Sequence, residues 1–219
     1  MPSGPRRVIV LDGPAGAGKS TVAQEVSRRL DLPFLDTGAI YRAITLVMLR
    51  RRIPAEDSPQ LQDALRDFSV SFEGGAVMLG DEDVTSAIRT PEIDGAVSSY
   101  SALPAVRSAL LGIQREQAKN GLVAEGRDMG TVVFPDACLK IFLTASPESR
   151  AMRRYEERVL KGEPADYGEI LDAVNRRDGL DSGREIAPLR RAPGAILLDT
   201  TDLTFDQVVD RVMEYAEGV

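Results

Sequence analysis

The chain has 219 residues, 43% of them hydrophobic, and a formal net charge of −7. This length suits one compact domain with a small insertion, and the hydrophobic content excludes a disordered chain. The negative charge argues against a dedicated nucleic-acid or membrane-surface binder, because such proteins need a basic footprint. The absence of histidine excludes triads, metal sites and general bases that depend on it.

Strand and helix patterns alternate along the chain. Strands are predicted at 7–11, 32–35, 121–125, 138–143 and 195–199, and helices at 19–30, 39–51, 58–68, 91–99, 104–119, 147–161, 167–178 and 204–217. Two alternating runs around Gly74-Gly75 predict a β-hairpin over residues 69–80. The alternation predicts an α/β fold with a mostly parallel sheet, and the hairpin marks an insertion at roughly residues 60–100.

The single cysteine, Cys138, excludes an internal disulfide and fits a reducing compartment. Its apolar neighbours predict an inert thiol in a buried strand. Near the N-terminus, Arg6 and Arg7 precede the apolar run 8–11, which is too short for a signal peptide. We therefore expect a cytoplasmic protein.

The stretch DGPAGAGKST, residues 12–21, indicates a phosphate-binding loop. Gly13, Gly18, Lys19 and Ser20 satisfy the pattern G-x-x-x-x-G-K-[ST] between a predicted strand and a predicted helix. Glycines allow the backbone N–H groups to surround an anion at the helix N-terminus, and Lys19 reaches the outer phosphates. The Ser20 hydroxyl is placed to ligate Mg²⁺. The loop predicts binding of a nucleoside triphosphate.

Other patterns separate a transferase from a nucleotide-driven switch. Guanine-nucleotide switches carry D-x-x-G after a strand and a later N-K-x-D, and this chain has neither. Instead, arginine and aspartate cluster in turns after strands, where open parallel sheets bind ligands. The clusters are Asp36, Thr37 and Arg42; Glu125, Arg127 and Asp128; and Arg177, Asp181 and Arg184. One such pair alone is usually a surface salt bridge, but three clusters favour a second anionic ligand.

A predicted helix carries four arginines at spacing i, i+3, i+4 and i+8, which places them on one face. They are Arg150, Arg153, Arg154 and Arg158. Two interpretations stay open. The helix is either part of a lid that closes arginines over phosphates, hinged by the polar segment 161–169, or a solvated face neutralised by Glu148, Glu156 and Glu157.

Five segments together resemble bacterial cytidylate kinases, in the right order and over nearly the whole chain. They are GPAGAGKST, FLDTGAIYRA, GRDMGTVVFPDA, RRDGLDSGREIAPL and LLDTT. The resemblance implies a nucleoside monophosphate kinase fold in a single domain, 1–219. The expected parts are a P-loop core (1–38, 101–150 and 170–219), a monophosphate-binding subdomain with the small β-hairpin (about 39–100) and a short lid (about 151–169).

The resemblance also implies a reaction, in which the γ-phosphoryl group of ATP moves to CMP or dCMP with Mg²⁺. The implied ATP ligands are Gly13, Pro14, Ala15, Gly16, Ala17, Gly18, Lys19, Ser20 and Thr21, with Arg150, Arg153 and Arg158 from the lid. The implied catalytic residues are Lys19, Arg42, Arg127 and Arg154. The family often has glycine where Ser20 stands, so the metal ligand is Ser20 or Thr21.

Acceptor residues follow from the same resemblance. Arg42 and Arg127 would hold the acceptor phosphate, beside Asp36, Thr37 and Tyr41. Ser98, Arg107, Asp128 and Arg184 would read the cytosine, and Arg177 and Asp181 would face the sugar. An aspartate can accept from the cytosine amino group, which uracil lacks, so such a pocket can discriminate strongly.

The acceptor is a phosphate monoester with a second pKa of about 6, so its oxygens are ionised at neutral pH. We therefore expect catalysis by charge neutralisation and alignment, without a general base. Glu125 is the candidate for a water-mediated partner of Mg²⁺, and a helix-capping or structural carboxylate is the alternative.

Two alternative functions stay open at this stage. A related kinase would phosphorylate UMP or a small metabolite such as shikimate, and a regulatory protein would bind nucleotide without transferring phosphate. If the protein is a cytidylate kinase, we expect a monomer whose partners are ATP, CMP and dCMP. We expect it to bind neither nucleic acid nor a membrane.

Overall fold

The computed structural model describes residues 7–218. By contacts, the chain divides into two compact units, Met1–Leu35 with Gln117–Val219, and Asp36–Glu116. The predicted domain and its core begin at residue 1 and end at residue 219, so residues 1–6 and 219 of that prediction lie outside the described part. The three-part division into core, subdomain and lid stays a prediction.

The elements alternate as an α/β fold requires. The strands are β1 (Val8–Asp12), β2 (Phe34–Asp36), β3 (Ser71–Glu73), β4 (Ala76–Leu79), β5 (Glu82–Asp83), β6 (Leu122–Gly126), β7 (Leu139–Thr144) and β8 (Ile196–Asp199). The helices are α1 (Lys19–Leu30), α2 (Thr37–Arg50), α3 (Pro59–Arg66), α4 (Pro91–Ala102), α5 (Pro104–Glu116), α6 (Pro147–Leu160), α7 (Tyr167–Ser182) and α8 (Phe205–Glu217).

The first unit is built on a five-stranded sheet, counted over residues 7–218, in the order β2-β6-β1-β7-β8. β1 pairs in parallel with β6 and β7, and β7 pairs in parallel with β8. The carboxyl ends of β1, β6, β7 and β8 therefore lie at one edge of the sheet. The parallel α/β fold predicted from the sequence is confirmed, and this edge is where such folds bind ligands.

The core of this unit explains why β1 sits at the centre of the sheet. Ile9 and Leu11 on β1 are fully buried in one cluster with Val26 of α1 and with Val209 and Val212 of α8. Each such side chain contributes about 1.5–3 kcal/mol through removal of apolar surface from water. A rigid central strand consequently presents Asp12 and the following loop at the ligand-binding edge.

The second unit contains the predicted hairpin. β3 and β4 pair in antiparallel fashion around Gly74 and Gly75, whose φ angles of 57° and 90° suit a tight hairpin turn. The short strand β5 extends this sheet. It was not predicted, because its two residues are too few to show the alternation of apolar and polar side chains that marks a strand. Val77 of β4 packs with Ala43 of α2 in the core of the unit.

Three local features differ from the sequence-based expectations. The predicted helix 104–119 ends as α5 at Glu116 and continues as a 3₁₀ turn, Gln117–Asn120. Met129–Val133 forms a π-helical turn where no helix was predicted. Cys138 was predicted to be buried in a strand, but it is exposed, because β7 begins one residue later at Leu139.

None of the helices between residues 7 and 218 combines the length and the apolar composition that crossing a bilayer requires.

Candidate active site

The loop between β1 and α1 has the backbone shape of a phosphate cradle. Gly13, Gly16 and Gly18 have φ angles of 150°, 81° and 85°, a region that side chains with a Cβ rarely adopt. A Cβ at Gly13 would also lie 2.0 Å from the main-chain oxygen of Leu143. Gly18 caps α1 in a left-handed conformation, so the loop opens directly onto the helix N-terminus.

Lys19 begins α1 and lies under this loop, almost fully buried. Its Nζ donates to the carbonyl oxygen of Pro14 at 2.8 Å and lies 4.0 Å from Oε2 of Glu125. Burial, followed by the positive charge of Arg127, lowers the pKa of Lys19 to about 7. Phosphate oxygens next to this ammonium would favour its charged form and would bring the pKa back up.

Ser20, at the start of α1, and Glu125, at the end of β6, bring together two oxygen atoms that could ligate a metal ion. The Ser20 hydroxyl donates to Oε1 of Glu125 at 2.9 Å. Across residues 7–218, no group of three or more aspartate, glutamate, cysteine or histidine side chains is arranged to cage a metal. Mg²⁺ usually takes one or two protein oxygens and completes its shell with substrate phosphates and water. The Ser20–Glu125 pair fits an ion shared with a nucleotide.

Asp12, at the end of β1, was not singled out from the sequence, although its position at a strand end was the available signal. Its carboxylate accepts from the backbone N–H groups of Met129 and Gly130 at 2.8 and 2.7 Å. Burial raises the pKa of Asp12 to about 6, despite those two hydrogen bonds. These two bonds hold the start of the π-helical turn that follows Asp128. Asp128 is itself buried.

Arg127, Asp181 and Arg184, predicted as acceptor residues, are together in the first unit. Arg127 Nε donates to Asp181 Oδ2 at 2.9 Å, and Arg184 pairs with the other carboxylate oxygen. Burial alone would raise the pKa of Asp181, but the charges of Arg127 and Arg184 outweigh it and hold the pKa below its usual range. Arg177 contributes its charge to the same environment. The cluster concentrates positive charge around one buried carboxylate.

The four arginines of α6 have different surroundings. Arg150 is buried and bonds to the carbonyl oxygens of Ala145 and Ala15 and to Asp178. Arg153 donates to Thr200 through two nitrogens. Arg154 is half-buried, with its Nε 3.5 Å from the point where a Cβ on Gly16 would lie, and Arg158 is exposed.

In the second unit, the start of α2 carries the predicted acceptor residues. Asp36 caps this helix by accepting from the N–H of Ala39 at 2.9 Å, and Thr37 is buried in its first turn. Arg42 lies on the next turn, where Nη2 is 2.5 Å from the carboxylate of Asp94. The pairing with Asp94 had no signal in the sequence that could have revealed it.

Arg107, Tyr41 and Ser98 also belong to the second unit. The Arg107 guanidinium lies over the Tyr41 ring, 5.5 Å from its centroid, and donates to the carbonyl oxygen of Ser101 at 3.2 Å. Stacking on an aromatic ring fixes the plane of a guanidinium, which suits directional hydrogen bonding. Ser98, on α4, is half-buried, and its carbonyl oxygen accepts from the Ser101 hydroxyl.

Solved structures show the fold class independently. A shikimate kinase from Bacteroides thetaiotaomicron aligns with a TM-score of 0.51 and 15% identity over 96% of this chain and 98% of that protein. An uncharacterized protein from Eubacterium ventriosum aligns with a TM-score of 0.54 and 12% identity over 97% and 99%. At these identities the similarity concerns the fold alone.

Sequence comparison identifies the family. Residues 9–218 match the cytidylate kinase family model. The cytidylate kinase of Caldanaerobacter subterraneus subsp. tengcongensis is 51% identical over 94% of this chain and 92% of its own length. The cytidylate kinases of Chromobacterium violaceum and Mycobacterium avium are 50% and 46% identical, over 96% and 94% of this chain and 95% and 93% of their own lengths. The chain therefore belongs to the cytidylate kinase family.

Proposed function

We propose that this protein transfers the γ-phosphoryl group of ATP to CMP or dCMP, giving CDP or dCDP and ADP. The observation that carries the proposal is the near-complete match to cytidylate kinases at 46–51% identity. The phosphate cradle and the buried Lys19 supply the donor chemistry that such a reaction needs.

On the donor side, the N–H groups of residues 13–18 and the Lys19 ammonium would bind the ATP phosphates. Mg²⁺, held by Ser20 with Glu125 acting through water, would neutralise phosphate charge and align the transferred group. Arg154 and its neighbours Arg153 and Arg158 are the proposed lid ligands. The half-buried position of Arg154 beside Gly16 supports its catalytic role.

On the acceptor side, Arg42 and Arg127 are the proposed ligands of the acceptor phosphate. Asp128, Arg107, Arg184 and Ser98 are proposed to read cytosine, and Arg177 and Asp181 to bind the sugar. Asp128 and Arg107 are each buried, which supports this assignment, because a buried polar group discriminates against a base that leaves it without a hydrogen-bond partner. No general base is required, since the acceptor oxygens are already ionised at neutral pH.

Acceptor specificity tests the proposal directly. ADP release from ATP and Mg²⁺ is measured with CMP, dCMP, UMP, AMP and shikimate as acceptors. We expect CMP or dCMP to give the highest kcat/KM. A different best acceptor would contradict the base assignment, and ATP binding without acceptor-stimulated ADP release would identify a nucleotide-binding regulator.

We further propose a cytoplasmic monomer. Its substrates are nucleotides of the cell interior, and the single cysteine fits a reducing compartment. Sedimentation velocity at micromolar concentration is expected to give one species near the chain mass of 23.7 kDa.

A further inference from the structure

Arg150 bonds through all three of its guanidinium nitrogens beside the phosphate loop. Its Nε donates to Ala145 O at 2.9 Å, and Nη1 donates to Ala15 O at 3.0 Å. The same Nη1 lies 3.1 Å from one oxygen of Asp178, and Nη2 lies 2.6 Å from the other. Only 3% of the Arg150 side chain is exposed. Its donors are therefore directed at the chain itself, unlike those of a lid residue waiting for a ligand.

Packing between α6 and α7 places Asp178 opposite Arg150. Ala151 of α6 is buried against Ile170 and Val174 of α7, and the rings of Tyr155 and Tyr167 meet edge to face at 6.4 Å. Asp178 follows Val174 by four residues, so it lies on the same face of α7 one turn later. The position of the carboxylate is thus set by an apolar contact that does not involve the phosphate loop.

The carbonyl of Ala15 matters because of the geometry of the peptide bond. In a planar trans peptide, the C=O of one residue and the N–H of the next point in opposite directions. Arg150 holds Ala15 O on its own side, so the N–H of Gly16 is directed away from Arg150. Gly16 lies in the middle of the cradle, at a φ of 81° that residues with a Cβ rarely adopt.

We propose that Asp178 is a positioning residue for the donor site. Acting through Arg150, it fixes the peptide unit between Ala15 and Gly16 and so aims the Gly16 N–H at the ATP phosphates. Arg150 serves the loop and not the lid. This inference rests on the proposed function for the identity of the nucleotide, although the contacts themselves do not depend on it.

Asp178 also connects the donor loop with the acceptor arginines through one helix. Asp181 lies three residues further along α7 and binds Arg127 at 2.9 Å. The two carboxylates hold different arginines, so loss of Asp178 leaves the Arg127–Asp181 pair intact. A positioning role for Asp178 therefore predicts a selective loss on the ATP side.

The test compares Asp178→Asn with a matched control, Asp172→Asn, at an exposed position of the same helix. Calorimetry measures Kd for ADP and, separately, for CMP, so the readout needs no phosphoryl transfer. Removing the charge and one acceptor oxygen weakens ADP binding about tenfold, while the Kd for CMP stays within about twofold. The control changes neither constant.

A double variant distinguishes a positioning role of Asp178 from direct binding of the nucleotide by Asp178. In Arg150→Met the peptide unit has already lost its anchor, so adding Asp178→Asn changes the Kd for ADP by less than about twofold. A further tenfold loss there, or an unchanged Kd in the single variant, overturns the proposal. If Asp178→Asn does not fold, Asp178→Glu keeps the charge with altered reach, and a parallel fall of ADP and CMP affinity refutes the selective role.

These measurements also distinguish failure of the proposed function. A wild-type protein that binds ADP but phosphorylates neither CMP nor dCMP would contradict the proposed function, while the comparison of ADP affinities would still decide the role of Asp178.

Discussion

Gly13 occupies a position that tolerates no side chain. It has a φ of 150° and approaches the backbone of β7 so closely that a Cβ would lie 2.0 Å from Leu143 O. Neither β1 nor β7 can move aside cheaply, because both are central strands of a packed sheet. The phosphate loop is therefore shaped by a backbone contact as well as by its own glycines.

We expect Gly13→Ala to raise the KM for ATP by at least about tenfold, because the loop must move to clear Leu143 O. Steady-state kinetics with varied ATP measure the change. Gly112→Ala is the matched control, since Gly112 lies on the exposed side of α5 with open space around it. Alanine there should leave KM unchanged and should stabilise the protein by about 0.5–1 kcal/mol. An unchanged KM in Gly13→Ala would contradict the steric argument.

Asp12 gives the stability of the protein a distinct pH dependence. Burial raises its pKa from the ordinary 3.8 to about 6, so the folded state holds this proton more tightly than the unfolded state. The proton on folded Asp12 therefore contributes its full stabilisation below about pH 4, the unfolded pKa. This stabilisation is lost as the pH rises through about 6, the folded pKa. Above pH 6 the buried carboxylate is a cost to the fold that its hydrogen bonds with Met129 and Gly130 reduce.

Asp12→Asn should remove this dependence. Between pH 5 and pH 7, the free energy of unfolding of the wild type should fall by about 1 kcal/mol relative to that of the variant. Urea unfolding at several pH values measures the difference. Parallel curves for the two proteins would show that Asp12 does not titrate in this range.

At the scale of elements, helix caps show how sequence determines boundaries. Asp36, Ser58, Thr90, Ser146, Asp166 and Thr204 each accept a hydrogen bond at the start of a helix. The cap of α8 is reciprocal, because Gln207 also bonds to the N–H of Thr204. α8 buries Val208, Val209 and Val212 against the sheet, so the cap stabilises an element of the core.

Thr204→Ala should lower the melting temperature by about 2–4 °C, which corresponds to about 1 kcal/mol for a lost cap in a chain of this size. Thermal unfolding followed by circular dichroism is the measurement. Thr204→Ser keeps the accepting oxygen and serves as the control with little expected change. Activity should stay at the wild-type level at 25 °C, and an equal loss of stability in both variants would argue against the cap.

The elements also show what sequence reasoning can and cannot reach. The P-loop, the hairpin and the parallel strands were predictable, because local periodicity and glycine position determine them. The π-helical turn at Met129–Val133 was not, since it depends on Asp12, more than a hundred residues away. The partnership of Arg150 with Asp178 was missed for the same reason. The spacing placed four arginines on one face of α6. It could not show which of them would pair with an acidic side chain of another helix.

At the scale of the whole molecule, charge is distributed unevenly. The chain carries a net charge of −7, yet all but four of its 27 basic residues are arginine. Within the first unit, the charges of Arg127 and Arg177 help to lower the pKa of Lys19, and those of Arg127, Arg184 and Arg177 lower the pKa of Asp181. An acidic protein thus concentrates positive charge locally, which suits small polyanions better than a long nucleic acid.

Local positive charge alone does not complete the donor site, because Ser20 and Glu125 bring a carboxylate to the place where a triphosphate would bind. Glu125 and phosphate repel each other unless a cation stands between them.

We therefore expect EDTA to reduce CMP-dependent ADP release to background, and added Mg²⁺ to restore it. The Kd for CMP, measured by calorimetry without ATP, should stay within about twofold, since its proposed ligands are arginines. Glu125→Gln removes the negative charge proposed to hold the Mg²⁺ through water, so the Mg²⁺ concentration needed for half-maximal rate should rise by about tenfold. Turnover that survives EDTA would contradict the assignment of Ser20 and Glu125 to a metal.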